Sequence, residues 1–372
     1  MLRRDVLLAG ASVFGVGCAG RRMAAVPPVP RYPPPHPVEV SPQRVIRTVA
    51  GLRPYRPSGF VVRRESLGAK ALIHNYGHGG GGITLCWGTG NLAVEEALQT
   101  PHREAAVLGC GAVGLATARL LQRKGFSVTI YTKDTPPDTT SNIAGGYWSP
   151  VTLFRRSQAT PAFLDQYERA ARFAHRYFQS LTGDYYGVRW LPMYVLASNP
   201  INMFAEGSSL ARIADLFPDA RQLSPEEHPF PVSNVLRFWA ILIEPPVFLN
   251  ALQRDFLLNG GKLVIQQFEN AAAVAELPQA VIVNCTGLGA RALFHDEELM
   301  PIKGQLSFVP PDPRVDYGTL GPGDIYMFPR RDGILLGGTH EDGEWSLEPS
   351  PAAATRILGE HQQIFGAFKR LS

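Results

Sequence analysis

The run Gly109-Cys110-Gly111-Ala112-Val113-Gly114 limits what this chain can fold into more than any other segment. It follows the apolar stretch Ala105-Ala106-Val107-Leu108. After it come a helical pattern from Val113 to Lys124 and the alternating segment Ser127-Val128-Thr129-Ile130-Tyr131. Strand, turn, helix and strand thus fit into about 27 residues, near the ~30 of a dinucleotide-binding βαβ unit. The first glycine permits a tight turn, the second lets backbone approach a pyrophosphate, and the third lets helix and strand pack closely. The helix start adds unpaired N–H groups and a partial positive charge. Gly109, Gly111, Ala112, Val113 and Gly114 are therefore read as cofactor-binding. Where an acid usually meets ribose, after the second strand, the chain carries Lys133 and Asp134.

A second glycine block lies upstream, His74-Asn75-Tyr76-Gly77-His78-Gly79-Gly80-Gly81-Gly82. The short apolar strand Ala71-Leu72-Ile73 precedes it and a helical stretch, Ile83 to Leu98, follows, which argues against a flexible linker. His74 and His78 are four apart but sit among glycines, with no glutamate after His74, so a zinc site is not read there. Further strands are expected at Arg44–Ala50, Lys262–Gln267, Ala280–Val283, Leu306–Val309, Asp324–Phe328 and Gly333–Gly338. Helices are expected at Ala162–Leu181, Pro246–Leu258 and Ala352–Lys369.

The 372 residues are 45% hydrophobic and 18% charged, a globular composition with a net charge of +4. No basic stripe interleaves with aromatics, so nucleic acid is not an expected partner. The first 26 residues read as an export signal: Arg3-Arg4, then about 12 apolar and small residues, too few for the ~20 of a membrane span. The paired arginines resemble a twin-arginine signal, which implies export machinery as a partner and a periplasmic location. Cys18 follows Gly17 and is a weakly matched lipid-attachment position. Pro27 to Pro37 is proline-rich, so 27–42 reads as a semi-rigid spacer outside the core. Cys86, Cys110 and Cys285 read as small buried hydrophobes, with a disulfide as the alternative.

Five blocks resemble the flavin-dependent D-amino-acid and D-aspartate oxidase family. Thr139 to Trp148 resembles its threonine-rich loop, and Val283-Asn284-Cys285-Thr286-Gly287 a turn that approaches the cofactor. Gly51 to Pro57 resembles the strand with the substrate-carboxylate arginine, which falls on Arg53. His74 to Trp87 resembles the loop along the flavin ring. Tyr326-Met327-Phe328-Pro329, with Leu336-Gly337-Gly338-Thr339, resembles substrate-domain strands, and Lys303-Gly304-Gln305 is a weaker sixth block. In the family the His/Gly block lies near the C-terminus and the nucleotide turn opens the chain. Here the order is reversed, which implies a circular permutant.

The resemblance implies an FAD-binding, Rossmann-like parallel-sheet domain (43–150 and 237–295), an antiparallel-sheet substrate domain (151–236 and 296–351) and a C-terminal helix (352–372). It implies non-covalent FAD as cofactor, held by the nucleotide turn, Lys133 or Asp134, Thr139, Thr140, Ser141, Gly145, Gly146, Asn284, Thr286, Gly287, Gly79, Gly80, Gly82, Ile83 and Thr84. Arg53 and Tyr326 would bind the substrate carboxylate and the carbonyl of Gly80 would accept from the amine. A bidentate guanidinium fixes both distance and plane of a carboxylate. His340 stands where D-aspartate oxidases carry an arginine for the side chain, with Arg330 and Arg331 as alternatives. Of the segment Val309–Gly323, which aligns with the family's lid, only Tyr317 is available as a lid tyrosine, so a more open mouth is expected. The implied reaction turns a D-amino acid and O2 into a 2-oxo acid, ammonia and hydrogen peroxide. Glycine or sarcosine oxidation, another electron acceptor, a silent flavoprotein and a nicotinamide dehydrogenase remain as alternatives. Oligomeric state is not legible.

Overall fold

The computed structural model describes residues 34–369. The export signal and Cys18 lie outside the described residues, as does Ser372. Two sheets organise the chain. One has six strands: β1 of the other sheet (Arg47–Tyr55) leads into its members β2 (Val61–Leu67), β3 (Lys70–Tyr76), β4 (Glu104–Leu108) and β5 (Ser127–Thr132). The mixed sheet adds β6 (Val188–Ala197), β7 (Arg221–Leu223) and β8 (Asn234–Ile243), before β9 (Lys262–Ile265) and β10 (Val281–Asn284) return to the first. The mixed sheet then ends with β11 (Met300–Val309), β12 (Gly318–Leu320), β13 (Tyr326–Arg330), β14 (Gly333–Gly337) and β15 (Glu341–Asp342). The orders are β2-β3-β10-β4-β5-β9 and β1-β11-β14-β13-β12-β6-β8-β7, with β15 beside β11.

The six-stranded sheet is parallel except for β2, which pairs antiparallel with β3. Its central strands are fully buried: Ala105, Ala106 and Val107 of β4 and Val281, Ile282 and Val283 of β10 show no exposure. That is why they read as continuous apolar runs rather than alternating ones. Helices α1 (Gly82–Leu98) and α2 (Ala112–Arg123) lie on the sheet, with α3 (Pro161–Gln179) packed against α1 and α4 (Pro245–Leu258) against α2. The nine-stranded sheet is largely antiparallel, its exception being β12 beside β6. The short helices α5 (Ala271–Ala275) and α6 (Gly289–Leu293) flank β10, and α7 (Pro351–Gly366) closes the chain. Ser350 caps α7 by accepting from the Ala353 N–H at 3.3 Å, with a proline in the first turn.

Several expectations need correction. The strand expected at Arg44–Ala50 starts at Arg47 and runs through Pro54. Proline is tolerated there because β1 is the edge strand of its sheet. Strands β6 and β8 are ten residues each and pair over their whole length, yet had no counterpart in the sequence reading. The expected boundary at 236/237 falls inside β8, and β1, expected with the cofactor domain, lies in the mixed sheet. The described part of the spacer, residues 34–42, is not outside the core. Val38 is 5% exposed and packs with Val309, Val315, Tyr317 and Ile357. Tyr317 is no lid residue, since it is buried and its hydroxyl donates to the His36 carbonyl at 2.6 Å.

The C-terminal helix meets the start of the body. Gln362 Nε2 donates to the Val40 carbonyl at 3.0 Å, and Phe368 packs on the cluster that holds Val38. Val38→Ala should therefore destabilise the fold by roughly 1.5 kcal/mol, about two methylene equivalents at ~0.8 each, seen as a lower urea midpoint. Truncation through residue 38 should do at least as much.

Candidate functional site

Parallel pairing places the ends of five strands on one edge. Asn284 of β10 lies in register with His74 of β3 and with Leu108 of β4, Leu108 with Tyr131 of β5, and Thr132 with Ile265 of β9. The segments that leave this edge all line one cavity of about 1110 Å3, which continues to the mixed sheet at Arg53, Gly304, Leu306, Tyr326 and Phe328. Ligands of open α/β sheets bind beyond the carboxyl ends of the strands.

The glycines explain how backbone can form these walls. Gly109 has φ +102° and a Cβ there would stand 2.7 Å from the Cys285 carbonyl. A Cβ on Gly114 would stand 2.0 Å from the Gly109 carbonyl oxygen, so turn and helix pack with nothing between them. Gly79 has φ +51°, and a Cβ on it would meet the Thr152 carbonyl at 2.1 Å. Helices α1 and α2 both begin on the cavity: Gly82, Ile83 and Thr84 line it from one side, Gly111, Ala112 and Val113 from the other. Two helix N-termini therefore offer N–H groups and partial positive charge to one bound molecule. The Ala112 N–H is already taken by Ser141 Oγ at 3.0 Å, which ties the threonine-rich loop to the turn.

Nearly every residue expected at the site lines the cavity: Arg53, Tyr326, Gly80 and His340, then Gly109, Gly111, Ala112, Val113, Lys133, Asp134, Thr139, Thr140, Ser141, Gly145, Gly146, Thr286, Gly287, Gly79, Gly82, Ile83 and Thr84. Gly114 and Asn284 do not. Gly114 stands behind the turn as packing. Asn284 is fully buried and braces the strand ends, with Nδ2 3.1 Å from His74 Nδ1 and Oδ1 accepting from the Thr286 N–H and hydroxyl at 3.2 and 2.7 Å. His78 is likewise structural. Its Nε2 is 2.9 Å from Thr89 Oγ1, it stacks on Phe60, and burial pushes its pKa down to about 3, so it stays neutral. The other ring nitrogen of His74 faces Glu65 at 3.1 Å.

At the mixed-sheet end, Arg53 Nη2 donates to the Tyr326 hydroxyl at 3.5 Å and Nη1 to the Thr339 carbonyl at 3.3 Å. Glycines across the sheet make room for both side chains. A Cβ on Gly304 would lie 2.4 Å from the Arg53 guanidinium, and one on Gly337 would lie 2.2 Å from the Tyr326 ring. Tyr326 also stacks on Phe328, with centroids 5.2 Å apart. His340 stands at the rim with Nε2 3.1 Å from Thr152 Oγ1. Loss of solvent on the cavity side, and then the Arg53 guanidinium, hold its pKa below the ordinary histidine value. The alternatives Arg330 and Arg331 are engaged elsewhere. Arg330 is buried on Asp332 and the Ala144 carbonyl, and Arg331 pairs with Asp184 and Glu244.

The sequence reading missed Asn75, Tyr147, Ser149, Gln266, Gln267, Phe268, Asp324, Trp345 and Leu347 as lining residues. Gln266 to Phe268 were findable, because they follow a parallel strand at its carboxyl end. Trp345 and Leu347 carry no local signal. Cys86, Cys110 and Cys285 are buried free thiols, and burial pushes Cys110 and Cys285 up to about 12.

The donor set and glycine walls fit a dinucleotide: two helix starts and bare backbone for a pyrophosphate, and Lys133 with Asp134 at the end of β5 for a ribose. Comparison with known proteins agrees. The profile of the FAD dependent oxidoreductase family matches residues 29–96 and 104–372. A D-amino-acid oxidase of Rubrobacter xylanophilus is 30% identical over 268 residues, 68% of this chain and 74% of that protein. One from Streptomyces coelicolor is 31% identical over 261 residues, 68% of this chain and 75% of that protein. Among solved structures, the glycine oxidase of Bacillus cereus superposes with a TM-score of 0.54 at 17% identity, over 72% of this chain and 79% of that one. The collision at Gly114 gives a direct check. Gly114→Ala should purify with far less bound dinucleotide than the unaltered protein, read from the ratio of cofactor to protein absorbance. Full occupancy would show that the close packing is dispensable.

Proposed function

The chain belongs to the family of FAD-dependent oxidoreductases, and from that premise we propose that it oxidises D-amino acids to 2-oxo acids, with release of ammonia and reduction of O2 to hydrogen peroxide. The observation that carries this reading is the Arg53–Tyr326 pair, which shares one cavity with the glycine turn and the His/Gly loop. The identity to D-amino-acid oxidases supports the substrate class.

When bound, FAD supplies the two-electron acceptor for the hydride on the substrate α-carbon. The chain supplies position. Arg53 holds the substrate carboxylate through two N–H groups, and the Tyr326 hydroxyl adds a third contact. The Gly80 N–H is tied to the Thr152 carbonyl at 2.9 Å, which fixes the loop so that the Gly80 carbonyl can accept from the substrate amine. The amine must be neutral for the reaction, and water then takes the imino product to 2-oxo acid and ammonia. The N-terminus of α1 holds positive potential beside the site, where negative charge builds as the substrate is oxidised. His78 is a poor base for this chemistry, because burial pushes its pKa down to about 3 and its ring is tied to Thr89. Glycine or sarcosine is the second reading, and Leu320, Ile325, Trp345 and Leu347 along the same cavity favour a substrate that has a side chain.

The permuted order is part of this reading. The family match breaks between residues 96 and 104, in the stretch that joins α1 to β4. Both termini of the described body lie together, through Gln362 and Val40. Permutation succeeds when old ends are close and new ends fall outside the core elements. Residues 1–26 are read as an export signal on composition alone, and a periplasmic location follows from that reading.

Two measurements test the site. Arg53→Leu should raise KM for D-amino acids by a factor that corresponds to about 2–4 kcal/mol, since a buried carboxylate loses a charged bidentate partner. FAD content should stay the same, and an unchanged KM would show that another group binds the carboxylate. The pH test follows from His340. A histidine whose pKa lies below its ordinary value loses its proton earlier as pH rises, so a cationic His340 belongs to the acid side of the ordinary histidine range. The ratio of kcat/KM for D-aspartate over D-alanine should then begin its rise at a lower pH than the titration of a free histidine would give. A ratio with no pH dependence at all would remove His340 from contact with the substrate side chain.

A further inference from the structure

The rim of the cavity carries a segment that the reaction as described does not use. After β15, the chain runs Gly343-Glu344-Trp345-Ser346-Leu347-Glu348-Pro349 before Ser350 caps α7. Both ends of this segment are pinned. The Gly343 N–H donates to the Pro301 carbonyl at 2.9 Å. Ser350 exchanges two bonds with Gln305, its N–H to Oε1 at 2.6 Å and its carbonyl from Nε2 at 3.0 Å. Between the pins, the hydrogen bonds among the described residues are internal: the Ser346 N–H to Glu344, and the Glu348 N–H to Ser346 Oγ. The segment is a loop held at its ends, with no hydrogen bond from its middle to the body among the described residues.

Its two large apolar side chains are placed against the usual rule. Trp345 is 53% exposed and Leu347 58%, and both line the cavity that holds Arg53 and Tyr326. They are two residues apart, and the polar Ser346 between them bonds within the loop. Val151, 44% exposed, lines the same rim from the segment that follows the threonine-rich loop. Single exposed apolar side chains are ordinary, but a cluster around the mouth of a binding cavity marks a surface that something covers. The cavity ends at these side chains, so its own ligand is the occupant nearest to hand.

We propose that Gly343–Pro349 is the lid of the substrate end, and that Trp345 and Leu347 close over the substrate side chain and select for large apolar ones. The proposal rests on the D-amino-acid oxidase reading and names which residues set its side-chain preference. Within Val309–Gly323, Tyr317 cannot do this work, because it is buried on His36, and Leu320, which does line the cavity, is fixed in β12. The lid task passes to a segment on the other flank of β13 and β14. Charge agrees with an apolar occupant: Asp324 lines the same cavity, so an acidic side chain meets like charge there, and Arg53 is committed to the α-carboxylate.

The test uses the full protein with FAD bound. Steady-state kcat/KM is measured for D-alanine, D-leucine and D-phenylalanine in the unaltered protein and in Trp345→Ala, Leu347→Ala and Trp345→Phe. FAD content, melting temperature and light scattering are followed alongside. Removing one apolar group from the wall of a substrate pocket changes discrimination by roughly tenfold. Trp345→Ala should therefore lower the D-leucine to D-alanine and D-phenylalanine to D-alanine ratios by about tenfold, mainly through KM. Leu347→Ala should do so by less, and Trp345→Phe should restore most of the ratio. An equal fall for all three substrates together with depleted FAD would make Trp345 a packing residue and overturn the proposal. So would unchanged ratios, or a dimer that dissociates in Trp345→Ala with its ratios intact, which would make the rim an interface between copies. Failure of the parent reading looks different: the bound flavin of the unaltered protein would not bleach under nitrogen with any of the three D-amino acids, and both readings would fall together.

Discussion

The structure depends on one pairing, the insertion of β10 between β3 and β4. These three strands come from distant parts of the chain, at residues 281–284, 70–76 and 104–108. Their parallel register aligns Asn284 with both His74 and Leu108. Without that register the His/Gly loop and the glycine turn would leave the sheet at different heights. With it, the N-termini of α1 and α2 open on one cavity. The buried bridge from Asn284 to His74 and Thr286 reinforces the register on the polar side, since each buried amide group in it has a partner whose loss would leave an unsatisfied atom. The cofactor end of the site is thus a consequence of sheet order, and its chemistry is mostly backbone.

The substrate end is built differently. Arg53 and Tyr326 belong to strands of the mixed sheet, and their positions rest on missing side chains opposite them. Gly304 of β11 stands across from Gly51, and Gly337 of β14 across from Tyr326. A side chain at either Gly304 or Gly337 would push the guanidinium or the phenol ring off its present line. This explains why the weakest of the sequence blocks, around Gly304, belongs to the site although Gly304 bears no functional group. Rigid β-strands hold both polar groups, while the loops around them carry the rim. Under the proposed function, a carboxylate anchor on strands with side-chain contacts on loops would let one geometry at the α-carbon serve several substrates.

Much of this was legible in the sequence, and the reasons differ by element. The nucleotide turn was legible because glycine spacing encodes backbone geometry directly. The central strands were legible because a doubly covered parallel sheet leaves unbroken apolar runs. β6 and β8 were not. They pair with each other across about 40 intervening residues, and no turn signal joins them. β1 was cut at Ala50, because Gly51 and two prolines follow, and prolines are tolerated on an edge strand. Val38 was lost in its setting, as proline-rich sequence argues for a spacer while a single valine in it can still find a core. Among site residues, those on glycine-rich backbone were found and those that act by bulk were not. Trp345 and Leu347 sit in an acidic, loop-like stretch whose sequence gives no hint of a cavity nearby. His340 lines the cavity, yet its pKa is lowered first by loss of solvent and then by the Arg53 guanidinium, which lies far away in sequence.

The order of the blocks poses a last physical question, namely what permutation changes. Native contacts are the same set whichever loop is cut, so the cavity and its charges are indifferent to chain order. What differs is the closure needed to assemble them. Here α1 and β4 are joined by a five-residue link from Gln99 to Arg103, so the two helix N-termini that face one dinucleotide come from neighbouring segments. In the opposite order they would stand at the two ends of the chain, and bringing them together would close a loop of nearly the whole chain. Closure entropy grows only with the logarithm of loop length, about 0.6 kcal/mol per doubling. The stability at stake is therefore a few kcal/mol, enough to alter which part of the sheet forms first and too little to alter what the finished site can bind. That separation between assembly and chemistry leaves the finished cavity the same whichever order the blocks take.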